Sequence, residues 1–110
     1  MNKDYLGKFV KVKIDRPLGS RHPDYHYVYP INYGYIEGTI SGDGEELDAY
    51  VLGEDKALEE FSGRVIAIIH RTNDDDDKLV VAKDGQHYSN EQIKTLTHFQ
   101  EKWFKSEIWR

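Results

Sequence analysis

A short acidic motif in the middle of the chain has the composition of a metal site. Asp43, Glu45 and Asp48 fall within one short segment, and Gly44 separates the first two. A tight turn at Gly44, leading directly into an extended segment, would bring the three carboxylates together. Their hard oxygen atoms favour Mg²⁺ or Mn²⁺ over zinc, and the ligand spacing of an EF-hand loop is absent. A surface turn without function remains the alternative for this motif taken alone.

A second acidic run follows at residues 73–77, where Asn73 precedes four consecutive aspartates. Adjacent carboxylates repel one another, and a bound cation would relieve that repulsion. A solvated hairpin loop is the alternative. Two acidic loops in one small domain favour paired metal ions, which are a common device for cleaving phosphoryl bonds.

Tyrosines and arginines could complete a phosphate site. Residues 25–35 contain five of the eight tyrosines, and Arg16 and Arg21 lie just upstream. A tyrosine hydroxyl beside a metal can donate to a phosphate oxygen, while arginines can clamp the same anion. The alternative is that these tyrosines are ordinary barrel residues whose hydroxyls are satisfied at the rim.

Composition and charge exclude several classes of function. The absence of cysteine excludes disulfides, thiolate metal sites and cysteine catalysis. The net charge of −5 is uneven, with six basic and three acidic residues over 1–35 but one basic and nine acidic residues over 36–63. This distribution disfavours a nucleic-acid groove, which needs a continuous positive stripe. It suits a site where carboxylates hold metal ions and cationic side chains hold an anion.

The length of 110 residues predicts a single domain over residues 1–110. No segment approaches the roughly 18 apolar residues of a membrane span, and the charged N-terminus is not a signal peptide. We therefore expect a cytoplasmic protein with no membrane partner. The five histidines show no metal-ligand spacing, and no P-loop, nucleophile elbow or dinucleotide fingerprint is present.

Hydrophobic periodicity predicts a mainly β (α+β) fold, a small barrel capped by a C-terminal helix. Strands are expected at 9–14, within 27–40, and at 47–52, 64–70 and 78–82. A short helix is expected over Lys56–Phe61, capped by Asp55 and ended by Gly63. A capping box at Ser89–Gln92 begins an amphipathic helix of about four turns. Its apolar stripe comprises Ile93, Leu96, Gln100, Trp103, Phe104 and Ile108.

The segment Tyr29–Asp48 resembles the signature of soluble family I inorganic pyrophosphatases, Y-P-x-N-Y-G-Y followed by D-G-D-P-x-D. The spacing from Tyr35 to Asp43 matches without a gap. Asp76-Asp77-Lys78 is similar to the family's D-x-K, and residues 98–101 resemble its helical H-F-x-E. The resemblance implies an OB-like five-stranded β-barrel and a metal-dependent hydrolase.

The resemblance also implies roles for individual residues. The implied metal ligands are Asp43, Glu45, Asp48, Asp76 and, in the second loop, either Asn73 or Asp74. Glu45 would help activate the attacking water, and Tyr33 would lie near the nucleophile. The implied substrate-binding residues are Arg21, Lys78, Tyr33 and Lys105.

Several positions depart from the family pattern. Glu45 replaces an aspartate and Glu46 a proline, and the family's Lys-x-Glu hairpin has no counterpart. Lys13 falls where a first-strand glutamate would be. The C-terminal Tyr-Lys pair becomes Trp103-Phe104-Lys105, which displaces the lysine by one position.

The sequence therefore predicts Mg²⁺-dependent hydrolysis of inorganic pyrophosphate, with Mn²⁺ as an alternative cofactor. A metal-dependent phosphohydrolase of a nucleotide or another diphosphate is the first alternative. A non-enzymatic OB-like module that binds single-stranded nucleic acid is the second, and the net charge opposes it. The sequence leaves open whether the aromatic residues near the C-terminus pack on the barrel or on a second copy in a homo-oligomer.

Overall fold

A computed structural model of the chain describes residues 2–39, 44–73 and 76–110. Within them lie a 3-10 helix (Asn2–Tyr5), six strands and one α-helix. The strands are β1 (Phe9–Arg16), β2 (Asn32–Ile36), β3 (Leu47–Val51), β4 (Glu60–Arg71), β5 (Asp77–Ala82) and β6 (Ser106–Trp109), and the helix is α1 (Asn90–Glu101).

Five of the strands close into a barrel. They follow the order β1-β2-β3-β5-β4, and β4 pairs back onto β1. The β3–β5 pair is parallel and the other barrel pairs are antiparallel. The expected mainly β fold, a five-stranded barrel with a C-terminal helix, is confirmed.

Two hydrophobic cores explain why the central strands are apolar on both faces. Ala49 and Val51 of β3 point into the barrel, where they join Val12, Leu47, Val65 and Leu79 among others. Tyr50 and the following Leu52 point to the opposite side, into a second cluster that includes Ile93 of α1. Because side chains alternate along a strand, one face of β3 fills the barrel and the other lies under the helix.

Gly34 allows the first two strands to approach closely. A Cβ atom built on Gly34 would lie 1.8 Å from the carbonyl oxygen of Lys13. Any other residue there would force β1 and β2 apart, which accounts for a glycine inside a barrel strand.

The prediction of a helix over Lys56–Phe61 is wrong. The fully buried Asn32 carboxamide accepts a hydrogen bond from the Leu58 amide (3.0 Å) and donates one to the Lys56 carbonyl (2.8 Å). Glu60 and Phe61 already belong to β4, and Gly63, expected to end the helix, pairs with Val10. Tertiary hydrogen bonds therefore override a local helical preference.

The C-terminal helix begins as predicted and ends early. Ser89 and Gln92 form the expected capping box. However, α1 ends at Glu101, and Ile108, expected on the helical stripe, pairs with Ile69 as part of β6. As a strand residue, Ile108 packs beside the second core. In the described part of the chain, no helix is both long and apolar enough to cross a membrane.

Candidate active site

A pocket of about 630 Å³ opens where several strands of the barrel end. Asp15 and Arg16 of β1, Asp48 of β3 and Lys78 of β5 line one part of it. Arg71, the last residue of β4, and Gln100 of α1 line another part. The remaining lining residues are His22, Tyr25, Tyr27, Tyr29, Tyr33, Trp103 and Phe104.

Lys78 joins two carboxylates at the bottom of the pocket. The parallel pairing of β3 and β5 puts Asp48 directly opposite Lys78. The Lys78 Nζ atom lies 2.5 Å from Asp48 Oδ2 and 2.8 Å from Asp76 Oδ2. Burial by itself lowers the pKa of Lys78, but the Asp48 and Asp76 carboxylates outweigh it and raise that pKa above the ordinary lysine value. Lys78 is therefore a fixed cation.

Arg71 forms the second buried ion pair. Its Nε and Nη2 atoms lie 2.9 and 2.7 Å from the two oxygens of Glu101, and its Nη1 atom is 3.7 Å from Asp76 Oδ2. The Phe104 ring lies 3.7 Å from the guanidinium carbon. Burial alone would lower the pKa of Arg71, and the hydrogen-bonded Glu101 outweighs that effect and raises it. We call Asp48, Asp76, Lys78, Arg71 and Glu101 the charged floor.

Tyr33 lies against the charged floor. Its ring centroid is 5.9 Å from Lys78 Nζ. Burial, followed by the charge of the neighbouring Asp48, raises the pKa of Tyr33 well above its usual value. The hydroxyl consequently stays protonated and can act as a hydrogen-bond donor at neutral pH.

Gln100 connects the charged floor to the tyrosines of the pocket wall. Its Oε1 atom accepts hydrogen bonds from the hydroxyls of Tyr27 and Tyr29, both at 2.8 Å. Its Nε2 atom donates to the Tyr50 hydroxyl at 2.8 Å, and that hydroxyl donates to Glu101 Oε2 at 2.5 Å. A continuous chain of hydrogen bonds therefore runs from the wall to the Arg71–Glu101 pair, which fixes the relative positions of β3, α1 and the wall.

Four of the residues predicted for the site lie together. Tyr33, Asp48, Asp76 and Lys78 meet at the bottom of the pocket. Glu45 is exposed on the bend that leads into β3. Gly44 before it has a φ of +85°, in keeping with the expected tight turn.

Two predicted metal ligands, Asp43 and Asp74, lie outside the described residues. Arg21 and Lys105 are described, but they do not line the pocket. Arg21 donates to the His26 carbonyl at 3.2 Å, and the Lys105 carbonyl accepts from the Thr72 amide at 2.8 Å.

Arg16 and Arg71 contribute guanidinium groups to the pocket. Arg16 was a candidate anion ligand from its sequence position. Arg71 was not, because the expected strand ended at His70. The sequence did contain a signal for a buried cation, because Glu101 follows Ile93 and Thr97 at helical spacing on the buried side of α1. A carboxylate on a buried helical face requires a buried cation.

The donor set fits a hard divalent cation only in part. Asp48 offers carboxylate oxygens to the pocket, and its side chain is 33% exposed. Asp76, with its side chain 11% exposed, is already held by Lys78 and faces Arg71. Among the described residues, no group of three acidic, histidine or cysteine side chains is clustered closely enough to hold a metal. Lys78 holds both carboxylates, and of the two Asp48 is the more accessible to a cation.

The pocket presents side chains of the types that bind phosphate oxygens in other proteins. Arginine and lysine are cationic donors, and a protonated tyrosine adds a neutral donor. Fold and site together define an OB-like barrel with a mixed-charge pocket at one end.

Comparison with known proteins identifies the family. Residues 7–109 match the family model described as inorganic pyrophosphatase. The chain is 31% identical over 92 residues to an inorganic pyrophosphatase of Corynebacterium glutamicum, an alignment that covers 76% of this chain and 58% of that protein. It is 35% identical over 74 residues to one of Saccharolobus solfataricus, which covers 64% of this chain and 40% of that protein. The chain belongs to the inorganic pyrophosphatase family.

Solved structures agree on the fold. The crystal structure of an inorganic pyrophosphatase from Ehrlichia chaffeensis superimposes with a TM-score of 0.73 at 20% identity, covering 96% of this chain and 86% of that one. The inorganic pyrophosphatase of Helicobacter pylori gives 0.71 at 19% identity, with the same coverage. The chain spans 58% of the length of the Corynebacterium glutamicum protein that it matches.

Proposed function

We propose that this protein hydrolyses inorganic pyrophosphate to two phosphates with the help of Mg²⁺, which Mn²⁺ could replace. Family membership supports the reaction class. The observation that carries the proposal is the Lys78 ammonium, held between Asp48 and Asp76 in a pocket that also presents Arg16 and Arg71.

The charge balance of the site supports a requirement for a divalent cation. In the described part of the site, three cations, Arg16, Arg71 and Lys78, face four carboxylates. These carboxylates are Asp15, Asp48, Asp76 and Glu101. A pyrophosphate anion would add further negative charge that these side chains alone do not neutralise.

Asp48, together with Asp43 and Glu45, would hold the cation, with Asp74 and Asp76 as further candidate ligands. A divalent cation there would supply charge neutralisation and lower the pKa of a bound water. Hard carboxylate oxygens are the donors that Mg²⁺ and Mn²⁺ prefer.

The remaining roles in the reaction would belong to the protein's own side chains. Lys78 and the two pocket arginines would bind the phosphate oxygens and stabilise the charge of the leaving phosphate. Glu45 would accept the proton of the attacking water, and the Tyr33 hydroxyl would orient that water or Glu45. Arg21 and Lys105 do not line the pocket, and they enter the proposal only as the phosphate-binding residues that the family resemblance implies.

An assay of phosphate release from pyrophosphate tests the proposal. We expect activity with Mg²⁺ that chelation removes, and a loss of at least about 100-fold in kcat for Asp48→Asn, since it removes a charge at the reacting centre. Asp84→Asn is the matched control, because Asp84 is an exposed aspartate paired with Arg64. Full activity of a folded Asp48→Asn variant would overturn the site assignment.

A further inference from the structure

The pocket carries an aromatic wall that a pyrophosphate ion would leave unused. Tyr25, Tyr27 and Trp103, which we call the aromatic rim, line the same pocket as the charged floor. Tyr25 is 73% exposed and Trp103 is 55% exposed. A contiguous exposed patch of aromatic side chains beside a pocket is a common mark of a ligand-binding surface.

Rings connect the aromatic rim to the charged floor without a break. Tyr27 lies 5.6 Å from Tyr29, and Tyr29 lies 5.6 Å from Tyr33, measured between ring centroids. Tyr33 in turn lies beside Lys78. A ligand that places phosphate groups on the charged floor would therefore extend along an aromatic surface toward the aromatic rim.

The loop that presents the aromatic rim is held by hydrogen bonds. His22 Nδ1 accepts from the backbone amides of Asp24 and Tyr25, at 3.1 and 3.2 Å. The His22 amide donates to the Tyr27 carbonyl, and the His26 amide donates to the His22 carbonyl. The imidazole of His22 also packs 5.0 Å from Tyr25 and 4.9 Å from Tyr27. The loop is therefore built to hold these two tyrosines in place.

The three residues of the aromatic rim form one cluster of rings. Trp103 stacks on Tyr27 with a centroid distance of 5.5 Å, and Tyr25 lies 6.3 Å from Trp103 with the planes tilted by 31°. Because Tyr25 and Trp103 are each more than half exposed, a flat ring could stack on the outer surface of this cluster.

We propose that the substrates of this site include phosphoanhydrides that carry a flat aromatic ring, of which a nucleoside diphosphate is the chemical type. The diphosphate would lie on the charged floor, and the base would stack at Tyr25 and Trp103. The pocket volume of about 630 Å³ lies within the range of sites for ligands of that size. The inference rests on the proposed function for its chemistry and on the aromatic rim for its substrate class.

The reaction would be hydrolysis at the terminal phosphorus. A water oxygen forms a new bond to the β-phosphorus, and the bond from the β-phosphorus to the bridging oxygen breaks with its electron pair. The products are a nucleoside monophosphate and inorganic phosphate, and one water is consumed. The proton lost by water goes to Glu45, as for pyrophosphate. No oxidant or further reactant is required.

Steady-state assays with ADP and pyrophosphate in Mg²⁺ test the substrate class, and the measured quantity is the ratio of the two kcat/KM values. Stacking of a base on an aromatic side chain changes affinity by about 5- to 100-fold. We therefore expect Trp103→Ala to lower the ADP-to-pyrophosphate ratio about tenfold or more, and Trp103→Phe to restore most of it. Phe9→Ala is the matched control, because Phe9 is an aromatic residue of β1, 58% exposed and not part of the pocket lining. It should leave the ratio unchanged.

Calorimetric binding separates this inference from the proposed function. The probes are the non-hydrolysable α,β-methylene analogue of ADP and methylenediphosphonate, both in Mg²⁺. Tighter binding of the ADP analogue, weakened about tenfold by Trp103→Ala or Tyr25→Ala, is the expected result and supports the aromatic rim as the site of the ring. Equal binding of both probes, or equal effects of the substitutions on both, overturns the inference. Pyrophosphate hydrolysis with no ADP hydrolysis also overturns it and leaves the proposed function intact.

Discussion

The charged floor and the aromatic rim share one pocket but are built in different ways. The members of the charged floor lie on or next to strands and α1. Apart from Asp48, each whole residue, backbone included, is less than 10% exposed. Every one of them forms an ion pair with another member. The aromatic rim lies on the 22–27 loop and on the turn after α1, and two of its three side chains are more than half exposed.

The difference shows that the fold itself fixes the positions of the charged floor, whereas the aromatic rim depends less on the fold. Strand pairing fixes the charged floor, since the β3–β5 register alone places Asp48 opposite Lys78. Loops tolerate change more readily than strands. We infer that the charged floor contributes more to the stability of the fold than the aromatic rim does.

Removing Arg71 should have the largest effect on stability. Arg71→Met leaves the buried Glu101 carboxylate without its bidentate partner, and breaking a buried ion pair costs about 3–5 kcal/mol. Urea unfolding followed by circular dichroism would measure the change in the midpoint. The Tyr50 hydroxyl still donates to Glu101, so the loss should lie toward the lower end of that range.

Arg64→Met is the matched control for this prediction. Arg64 pairs with Asp84 at 2.8 Å, but both side chains are exposed. Exposed ion pairs contribute little, so we expect the urea midpoint to change only slightly. Equal shifts for the two variants would contradict a structural role for the charged floor.

Gln100 joins the two regions, and its replacement should have an intermediate effect. Gln100→Leu removes the acceptor of the Tyr27 and Tyr29 hydroxyls, and Tyr29 is only 1% exposed. An unsatisfied buried donor costs about 1–3 kcal/mol. The control is Tyr27→Phe, which removes a single hydroxyl from a half-buried side chain. In thermal or urea unfolding we expect it to lower the unfolding free energy clearly less than Gln100→Leu does. A Gln100→Leu variant as stable as Tyr27→Phe would mean that Gln100 does not connect the regions energetically.

The residues of the charged floor were predictable only in part. Strand periodicity marked β1 and placed further strands at 47–52 and 78–82. Because side chains alternate along a strand, this pattern indicates which residues share a face but not which strands pair. The resemblance to the pyrophosphatase signature, rather than periodicity, assigned Asp48, Asp76 and Lys78 to one site, and Arg71 was not predicted.

The remainder depended on contacts between distant segments. The segment 56–58 is not helical, and Asn32, far away in sequence, forms hydrogen bonds with its backbone. Phe104 and Trp103 leave the helical stripe because α1 ends at Glu101, where Arg71 holds the carboxylate. Neither partner is visible in a local window of sequence, so helical periodicity was extended too far. The aromatic rim was missed as a unit for the same reason.

The pH dependence of stability should report on Lys78. The Asp48 and Asp76 carboxylates raise the pKa of Lys78 against the opposing effect of burial. A group whose pKa is raised by folding contributes stability that is fully present below its unfolded pKa, here 10.5, and lost as the pH rises further. We expect the difference in unfolding free energy between the native protein and Lys78→Met to be constant from about pH 8 to pH 10 and to shrink above that. The buried tyrosines titrate in both proteins and cancel in the difference. A difference that grows with alkaline pH would contradict the assigned charge state.

Substitutions in the aromatic rim should have the smallest effect on stability. Tyr25 and Trp103 are each more than half exposed, and the rings that they contact, His22 and Tyr27, are only partly buried. We therefore expect Tyr25→Ala and Trp103→Ala to lower the urea midpoint less than Gln100→Leu does. Addition of ADP and Mg²⁺ should then separate the variants, because a ligand that binds only the folded state stabilises it by RT ln(1 + [L]/Kd), which is larger for the tighter-binding protein. The native protein should gain more stability than either variant at the same ADP concentration, and methylenediphosphonate should stabilise all three alike. Large losses without ligand would instead assign the aromatic rim to the fold, and the contrast with the charged floor would disappear.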